Sequence, residues 1–154
     1  MASKKSSKAS KTTKAEAKET KPTKDTKPAA KAAPDTEAFK NGRVYLSGPV
    51  TGIPRDRAVE AFEAAHARLR ELGATSVMVP TRAVPEILDH ERAMLVCLGE
   101  LTRSTALGLP LYDAVVLLDG WRDSEGARVE ATVASALGIP CVDVEGNPVD
   151  VGAE

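Results

Sequence analysis

Glu130 is the residue of this sequence whose type and position most clearly suggest chemistry. It lies in a segment of helical period that follows a polar loop at residues 119–125 and stops at Gly138, a residue typical of helix C-termini. At about 100° per residue, the polar stripe of this helix consists of Arg128, Thr132 and Ser135. Glu130 falls on the opposite side, between Leu137 and Ala134. Its carboxylate is therefore predicted to point into the core or into a cavity.

A carboxylate in that position has two interpretations. Because burial of a charge without a partner is costly, Glu130 is either a structural residue (half of an ion pair, or a tolerated misfit) or the reactive group of a cleft. In a cleft, partial desolvation would raise the pKa of the carboxyl group, and the adjacent helix N-terminus would lower this pKa. Carboxylates held in this way serve as nucleophiles or as general acid–base groups. We favour the cleft.

Hydroxyl groups and open backbone precede two of the predicted helices. The small residues of the first loop are Ser47, Gly48, Thr51 and Gly52. Their hydroxyls and N–H groups could cradle a phosphate or another anion at a helix start, although such loops are also common as plain turns. Ser124 precedes the helix that carries Glu130, where its hydroxyl is either an N-cap or a ligand contact.

Two aromatic residues could complete such a site. Tyr45 lies in the strand before the first loop, and its phenol either reaches Glu130 or packs in the core. Trp121 lies in the polar loop, where it either stacks on a base or serves as a lid or packing residue. A carboxylate, hydroxyl donors and an aromatic platform suit displacement at C1′ of a sugar, through a glycosyl-enzyme that water or a second base resolves. The sequence has no Ser-His-Asp set, metal-ligand cluster or Walker-type loop, and we expect neither metal nor cofactor.

The elements that position these residues alternate between strand and helix. Strands are predicted at residues 43–46, 76–79, 114–118 and 139–144, and helices at 56–72, 88–103 and between the polar loop and Gly138. Because strand–helix–strand crossovers are right-handed, this order predicts an α/β domain: a small doubly wound parallel sheet, flavodoxin- or Rossmann-like, with helices on both faces. If the first strand lies beside the third, the loops at 47–52 and 119–126 diverge at a switch point, where such sheets bind ligands.

Charge divides the chain into a basic tail and an acidic body. Residues 1–40 contain all eleven lysines against five acidic residues, a net charge of +6, and residues 41–154 contain all ten arginines against seventeen acidic residues, a net charge of −7. The tail has almost no large apolar side chain and is predicted to be disordered. It either contacts nucleic acid weakly and without sequence preference, or serves as a solubilising extension or tether. The body is long enough for one compact domain.

Cysteine usage and hydropathy indicate the compartment. Cys97 and Cys141 are isolated, which suggests reduced thiols in a cytoplasmic protein. The sequence has no secretory signal and no apolar run long enough to span a bilayer, so we expect no membrane partner.

Three motifs of the body resemble the DUF4406 family, in the same order and at the same spacing. They are residues 45–52 (YLSGPVTG), 113–121 (DAVVLLDGW) and 124–130 (SEGARVE). This family looks like a branch of the nucleoside 2-deoxyribosyltransferase-like superfamily, which includes 2′-deoxynucleoside 5′-phosphate N-hydrolases. The resemblance spans residues 43–144 and implies that the substrate is a nucleoside or a nucleotide.

The resemblance also implies roles for individual residues. Glu130 takes the position of the glutamate nucleophile, and Tyr45 that of the tyrosine which positions it. Ser124, six residues before the nucleophile, favours a 5′-monophosphate as substrate and water as acceptor. Ser47 and Gly48 match the first phosphate-side loop of the hydrolases. Together with the residues considered above, the predicted substrate contacts are Ser47, Gly48, Pro49, Thr51, Gly52, Trp121, Ser124 and Gly126.

One departure from the family pattern bears on catalysis. Relatives carry an aspartate that handles the leaving base in the helix before the central strand, whereas this sequence has an apolar stretch at residues 96–98. Either Asp119 or Asp123 has taken over that role, or catalysis is impaired and the crevice binds a nucleotide without cleaving it. The superfamily also implies a homo-oligomer with sites near the subunit contacts.

Overall fold

The protein is described here by a computed structural model, which covers residues 36–152. Its strands are β1 (Arg43–Ser47), β2 (Ser76–Met78), β3 (Ala114–Leu117) and β4 (Cys141–Val142), and its helices are α1 (Arg55–Glu71), α2 (Pro80–Ala83), α3 (His90–Leu101) and α4 (Glu125–Ala136). Short 3-10 turns at Thr36–Phe39 and Trp121–Asp123 precede β1 and α4. Within this range no helix has the length and apolar character needed to cross a membrane.

The four strands form one parallel sheet in the order β2-β1-β3-β4. β1 pairs with both β2 and β3, and its Tyr45 lies opposite Val115 of β3. The predicted α/β class, the parallel sheet and the placement of the first strand beside the third are thus confirmed. Right-handed crossovers in this strand order place α1 on one face of the sheet and the two later long helices on the other.

Alternation of side chains along β1 separates two cores, one on each face of the sheet. Val44 and Leu46 belong to the core on the α1 side, where they pack with Phe62 of α1. Tyr45 belongs to the core on the opposite side, which also contains Ala131 of α4. Side chains at even positions of β1 therefore face α1, and side chains at odd positions face α3 and α4.

Two predicted elements differ from the observed ones. Residues 80–83 form helix α2 where the sequence predicted a loop, because Pro80 at the first helical position fixes φ in the helical range. The last strand is shorter than residues 139–144, because the Asp143 carboxylate accepts N–H groups from Glu145 and Asn147 and thereby turns the chain after Val142.

Phe39 shows that packing begins before residue 41. Its side chain is fully buried in the core on the α1 side, although the sequence analysis assigned residues 1–40 to the tail. An aromatic ring removes a large apolar area from water when it is buried, so it joins the core wherever the chain can bring it there. The predicted disorder and nucleic-acid contact of the tail fall mainly on residues 1–35, which lie outside the described residues.

We expect Phe39→Ala to lower the free energy of unfolding of the full chain by about 3–5 kcal/mol, because it removes a buried ring and leaves a cavity. Urea denaturation followed by circular dichroism measures this change. The matched control is Ile87→Ala, since Ile87 is 90% exposed and its truncation should change stability by less than about 0.5 kcal/mol. Equal stability of the Phe39 variant and the wild type would contradict the assignment of Phe39 to the core.

Candidate functional site

Helix α4 presents Glu130 to the sheet. The buried residues of α4 are Ala127, Glu130, Ala131 and Ala134. They share one face of the helix because they are three or four positions apart. The alanines are small enough for the helix to approach the sheet closely, and Glu130 is only 5% exposed. The side chain thus points inward, as the helical periodicity predicts.

Two hydroxyl groups of β1 hold the Glu130 carboxylate. The Tyr45 hydroxyl donates to Oε1 at 2.8 Å, and the Ser47 hydroxyl donates to Oε2 at 2.5 Å. Both donors lie on the same face of the sheet because they are two residues apart on one strand. Hydrogen bonds to an ionised carboxylate are short and strong, so the position and the rotation of the carboxyl group are both defined.

Burial dominates the ionisation of Glu130. Desolvation raises the pKa of its carboxyl group, and hydrogen bonds from Ser47, Tyr45 and Cys97 act in the opposite direction. No ion pair found in residues 36–152 includes Glu130. The charge is therefore compensated by neutral donors, which leaves the carboxylate available for chemistry instead of neutralised by a cation.

A cleft of about 240 Å³ lies between the loop after β1, helix α2 and the first two turns of α3. Its walls are mainly apolar, with a small number of polar groups such as Thr51 and Thr81, a composition typical of small-molecule sites. Arg55 and Glu86 also line it and form an ion pair. The cleft thus combines an apolar interior with a polar, charged border.

Cys97 belongs to the lining of the cleft and lies near the buried carboxylate. The residue lines the cleft, and its thiol is close enough to Glu130 for the two groups to influence each other's pKa. Its backbone carbonyl oxygen lies 3.3 Å from the Tyr45 hydroxyl oxygen, so the single hydroxyl proton, which is donated mainly to Glu130, is shared with this carbonyl. Burial and the charge of Glu130 raise the pKa of the Cys97 thiol to about 12, so the thiol keeps its proton at neutral pH.

The residues of the first loop divide between two sides of the sheet. Thr51 is exposed and lines the cleft, whereas Pro49 lines a separate cavity of about 570 Å³ on the α1 side. Gly48 lies against Leu118, and a Cβ at position 48 would be 2.8 Å from the Cβ of Leu118. Gly52 adopts a φ of +85° at an exposed turn. This loop therefore borders the cleft through only part of its length.

The N-terminus of α4 shows a structural role for two predicted substrate contacts. The Ser124 hydroxyl is the N-cap, since it accepts the Ala127 N–H at 3.4 Å. Gly126 faces α3, where a Cβ would lie 3.0 Å from the Met94 sulfur. The absence of a side chain at Gly126 thus allows α3 and α4 to pack closely beside Glu130.

The remaining predicted site residues lie away from the cleft. Asp119 lines the cavity on the α1 side, and Asp123 is exposed. Trp121 is 9% exposed and packs in the core with α4, while the Arg122 guanidinium lies 4.5 Å from the centre of its ring. None of the three is among the described residues that line the cleft. The structure therefore brings together Glu130, Tyr45 and Ser47 but neither aspartate.

Sequence reasoning missed the wall of the cleft that α3 forms. His90, Ala93 and Cys97 line the cleft from one side of α3, at spacings of three and four that the sequence already contained. Tyr112 was also missed: its ring packs edge-on against that of Tyr45, with centroids 5.5 Å apart. Within residues 36–152, no group of three or more His, Cys, Asp or Glu is placed to hold a metal ion.

We expect Glu130→Gln to be more stable than the wild type at neutral pH. Burial raises the pKa of Glu130 in the folded state. The contribution of Glu130 to the free energy of unfolding is therefore complete at a pH below its pKa in the unfolded chain. That contribution is lost as the pH rises through its pKa in the folded protein. At pH 8 the free energy of unfolding of the variant should exceed that of the wild type by about 1.4 kcal/mol for each unit by which folding raises the pKa of Glu130. The difference between the two proteins should vanish below about pH 4.

Urea denaturation of both proteins from pH 4 to pH 8 tests this expectation. The exposed Glu60→Gln is the matched control, since Glu60 pairs only at the surface with Arg57. A wild type that gains stability relative to Glu130→Gln as the pH rises would show that the buried carboxylate is stabilised by ionisation, contrary to the desolvation argument.

Comparison with known proteins supports one assignment. The family model of DUF4406, described as a domain of unknown function, matches residues 42–143. Comparison with curated proteins and with solved structures gave no match. The matched range contains all four strands, both β1 hydroxyls and Glu130, and it covers more than half of the chain. The chain therefore belongs to the DUF4406 family.

Proposed function

We propose that the protein cleaves or transfers at the N-glycosidic bond of a nucleoside or its 5′-monophosphate, with Glu130 as the nucleophile. The observation that carries this proposal is the buried carboxylate held by the Tyr45 and Ser47 hydroxyls at the end of β1. A nucleophile must be both oriented and partly desolvated, and this arrangement meets both requirements. Membership of the nucleoside 2-deoxyribosyltransferase-like superfamily is part of the same proposal.

The reaction requires a free lone pair on the carboxylate. An ionised carboxylate offers about four acceptor positions, of which the two hydroxyls occupy two. Attack on C1′ therefore uses one of the other positions. In this proposal the substrate approaches from the cleft, whose described lining includes Cys97 but not Glu130.

Hydrogen-bond donors near the start of α1 are the groups of the cleft that suit a phosphorylated substrate. Ser47 is fully buried and engaged with Glu130, so its hydroxyl serves the nucleophile. Thr51 and Arg55 line the cleft near the start of α1, and α1 has no side-chain cap on its first N–H groups. A hydroxyl, a guanidinium and these open N–H groups together suit a 5′-phosphate.

A second candidate is a nucleotide-binding module without catalysis. It is favoured by the low exposure of Glu130, 5%, and by the absence of Asp119 and Asp123 from the described lining of the cleft. In that case the carboxylate would attach α4 to β1, and the cleft would sense or sequester a nucleotide. Tight nucleotide binding by calorimetry, without released base after long incubation, would identify this function.

We expect Glu130→Ala and Glu130→Gln to lower base release from deoxynucleoside 5′-monophosphates by at least about 10³-fold, because both remove the nucleophile. Chromatographic detection of free base from the four common monophosphates and their nucleosides measures the reaction. Glu60→Gln is the control variant, with wild-type turnover expected. Unchanged turnover in either Glu130 variant would rule out the glycosyl-enzyme.

A separate proposal concerns residues 1–35, which contain ten of the eleven lysines. Their deletion keeps Phe39 in place and should weaken binding to a single-stranded oligonucleotide at low salt, because fewer counterions are released. Fluorescence anisotropy at several salt concentrations measures the loss, and the slope of affinity against salt should become shallower. Equal affinity of the truncated and full chains would assign the tail a different role.

A further inference from the structure

The placement of the Tyr45 ring determines how well the Glu130 carboxylate is held. The phenol oxygen lies 2.8 Å from Oε1 of Glu130 and 3.3 Å from the carbonyl oxygen of Cys97. The phenol has one proton for these two acceptors, so a shift of the ring changes which acceptor receives it. The Ser47 hydroxyl, in contrast, is attached directly to Cβ and is placed by its strand and one torsion. Tyr45 is therefore the donor whose direction depends on the residues that pack around its side chain.

Tyr112 is the aromatic neighbour of Tyr45. It lies between α3 and β3 and is only 7% exposed. The centroids of the two rings are 5.5 Å apart, and the ring planes meet at an angle of 80°. Edge-to-face pairs are favourable because the positive edge of one ring meets the negative face of the other. This contact has a preferred angle, so it restrains the tilt of the Tyr45 ring more than aliphatic packing would.

The Tyr112 hydroxyl attaches this second ring to α3. It donates to Oε1 of Glu100 at 2.5 Å, and the Arg103 guanidinium donates to the same oxygen at 2.9 Å. The hydrogen bonds from Tyr112 and Arg103 lower the pKa of Glu100, so its carboxylate is ionised at neutral pH. Hydrogen bonds to an ionised carboxylate are short and strong. Tyr112 is thus held both by its hydroxyl and by the burial of its ring.

Helix α3 consequently acts on Tyr45 at two points. The Cys97 carbonyl lies beside the Tyr45 hydroxyl, and Glu100, three residues later in the same helix, holds the ring that packs against Tyr45. Residues three apart in a helix lie on neighbouring parts of its surface. Tyr112 is not among the described residues that line the cleft. Any effect of Tyr112 on the chemistry must therefore pass through its neighbours.

We propose that Tyr112 is a positioning residue of this site, which acts through Tyr45 to keep the phenol proton directed at the Glu130 carboxylate. Its catalytic consequence rests on the proposed function, whereas the contacts that carry the inference do not. These contacts connect Glu100 to Tyr112, the two tyrosine rings to each other, and the Tyr45 hydroxyl to Glu130. Without the Tyr112 ring, Tyr45 is free to tilt, and its donation to Oε1 weakens.

A purely structural role of Tyr112 makes a different prediction. Its ring belongs to the core on the α3–α4 side, so truncation costs stability whatever its role. The quantity that separates the two roles is the pKa of Glu130. The hydrogen bond from Tyr45 lowers this pKa, so weakening of that bond must raise it. The other groups that affect the Glu130 carboxyl group, Ser47 and Cys97, remain unchanged in the Tyr112 variants.

Carbon-13 NMR of the full chain, labelled at the side-chain carboxyl group of glutamate, measures this pKa, and Glu130→Gln identifies the resonance. We expect Tyr112→Leu to raise the pKa of Glu130. Tyr112→Phe keeps the ring contact and loses only the bond to Glu100, so it should raise this pKa less. Tyr45→Phe removes the donor and sets the upper limit. In the Tyr45→Phe background, Tyr112→Leu should cause no further rise, because the effect passes through the Tyr45 hydroxyl.

Ile139→Ala is the matched control for loss of stability. Ile139 is 3% exposed and belongs to the same core as Tyr112. It precedes β4, which β3 separates from β1 in the sheet. Its truncation leaves a cavity and should destabilise the protein, but the pKa of Glu130 should not change. Urea denaturation shows whether each variant is folded under the conditions of the NMR and activity measurements.

The base-release assay measures the catalytic consequence. Because a misplaced reacting group slows the chemical step, Tyr112→Leu should lower kcat by about 10- to 100-fold. KM should stay within about twofold of the wild type, since only transition-state interactions are lost. The acid limb of the pH profile of kcat should move to higher pH, in the same direction as the pKa of the nucleophile. Tyr112→Phe should restore most of the activity.

The NMR and activity measurements have separate consequences. An unchanged pKa of Glu130 in folded Tyr112→Leu, or a rise that adds in full to that of Tyr45→Phe, would overturn the positioning role. An equal rise in Ile139→Ala would overturn it as well, because the effect would then follow from lost stability. Absence of base release by the wild type would overturn the proposed function, and the pKa measurements would still decide the role of Tyr112. A rise in Tyr112→Leu that is absent from Ile139→Ala and from the Tyr45→Phe background supports the proposal.

Discussion

The structure depends on one buried contact, in which the Glu130 carboxylate of α4 accepts the hydroxyl protons of Tyr45 and Ser47 from β1. Transfer of a charge out of water costs several kcal/mol unless donors replace the lost hydration. The two hydroxyls provide that replacement from the strand that pairs on both sides in the middle of the sheet. The contact therefore attaches α4 to the sheet and defines the orientation of the carboxyl group.

A structural role and a chemical role of Glu130 are compatible. Alanine or leucine at this position would fit the small buried face of α4 without a desolvation cost, so the carboxylate is not what packing alone favours. Groups that are costly to bury occur most often where their reactivity is used. The neutral donors around Glu130 fit that pattern, because they leave the charge on the carboxylate instead of pairing it with a cation.

The sequence pattern predicted one crevice between the loops that follow β1 and β3. In the structure these loops border two cavities, which lie on opposite sides of the sheet. Odd positions of β1 face α3 and α4, even positions face α1, and the loop that follows extends to both sides. Thr51 consequently borders the same cleft as Cys97, whereas Pro49 and Asp119 border the larger cavity on the α1 side. Glu130 therefore lies on the α3–α4 side of the sheet with Tyr45, whereas Asp119 lines the cavity on the α1 side.

The sequence by itself determined the order of elements, the parallel sheet and the inward direction of Glu130, because these follow from periodicity and from the handedness of crossovers. It also indicated that Tyr45 and Glu130 could meet. Tertiary structure decided that Cys97 lines the cleft and that Trp121 belongs to the core. Such assignments depend on how far α3 lies from α4 and how each is rotated, which packing of residues distant in the sequence sets. Local periodicity contains no information about that distance or rotation.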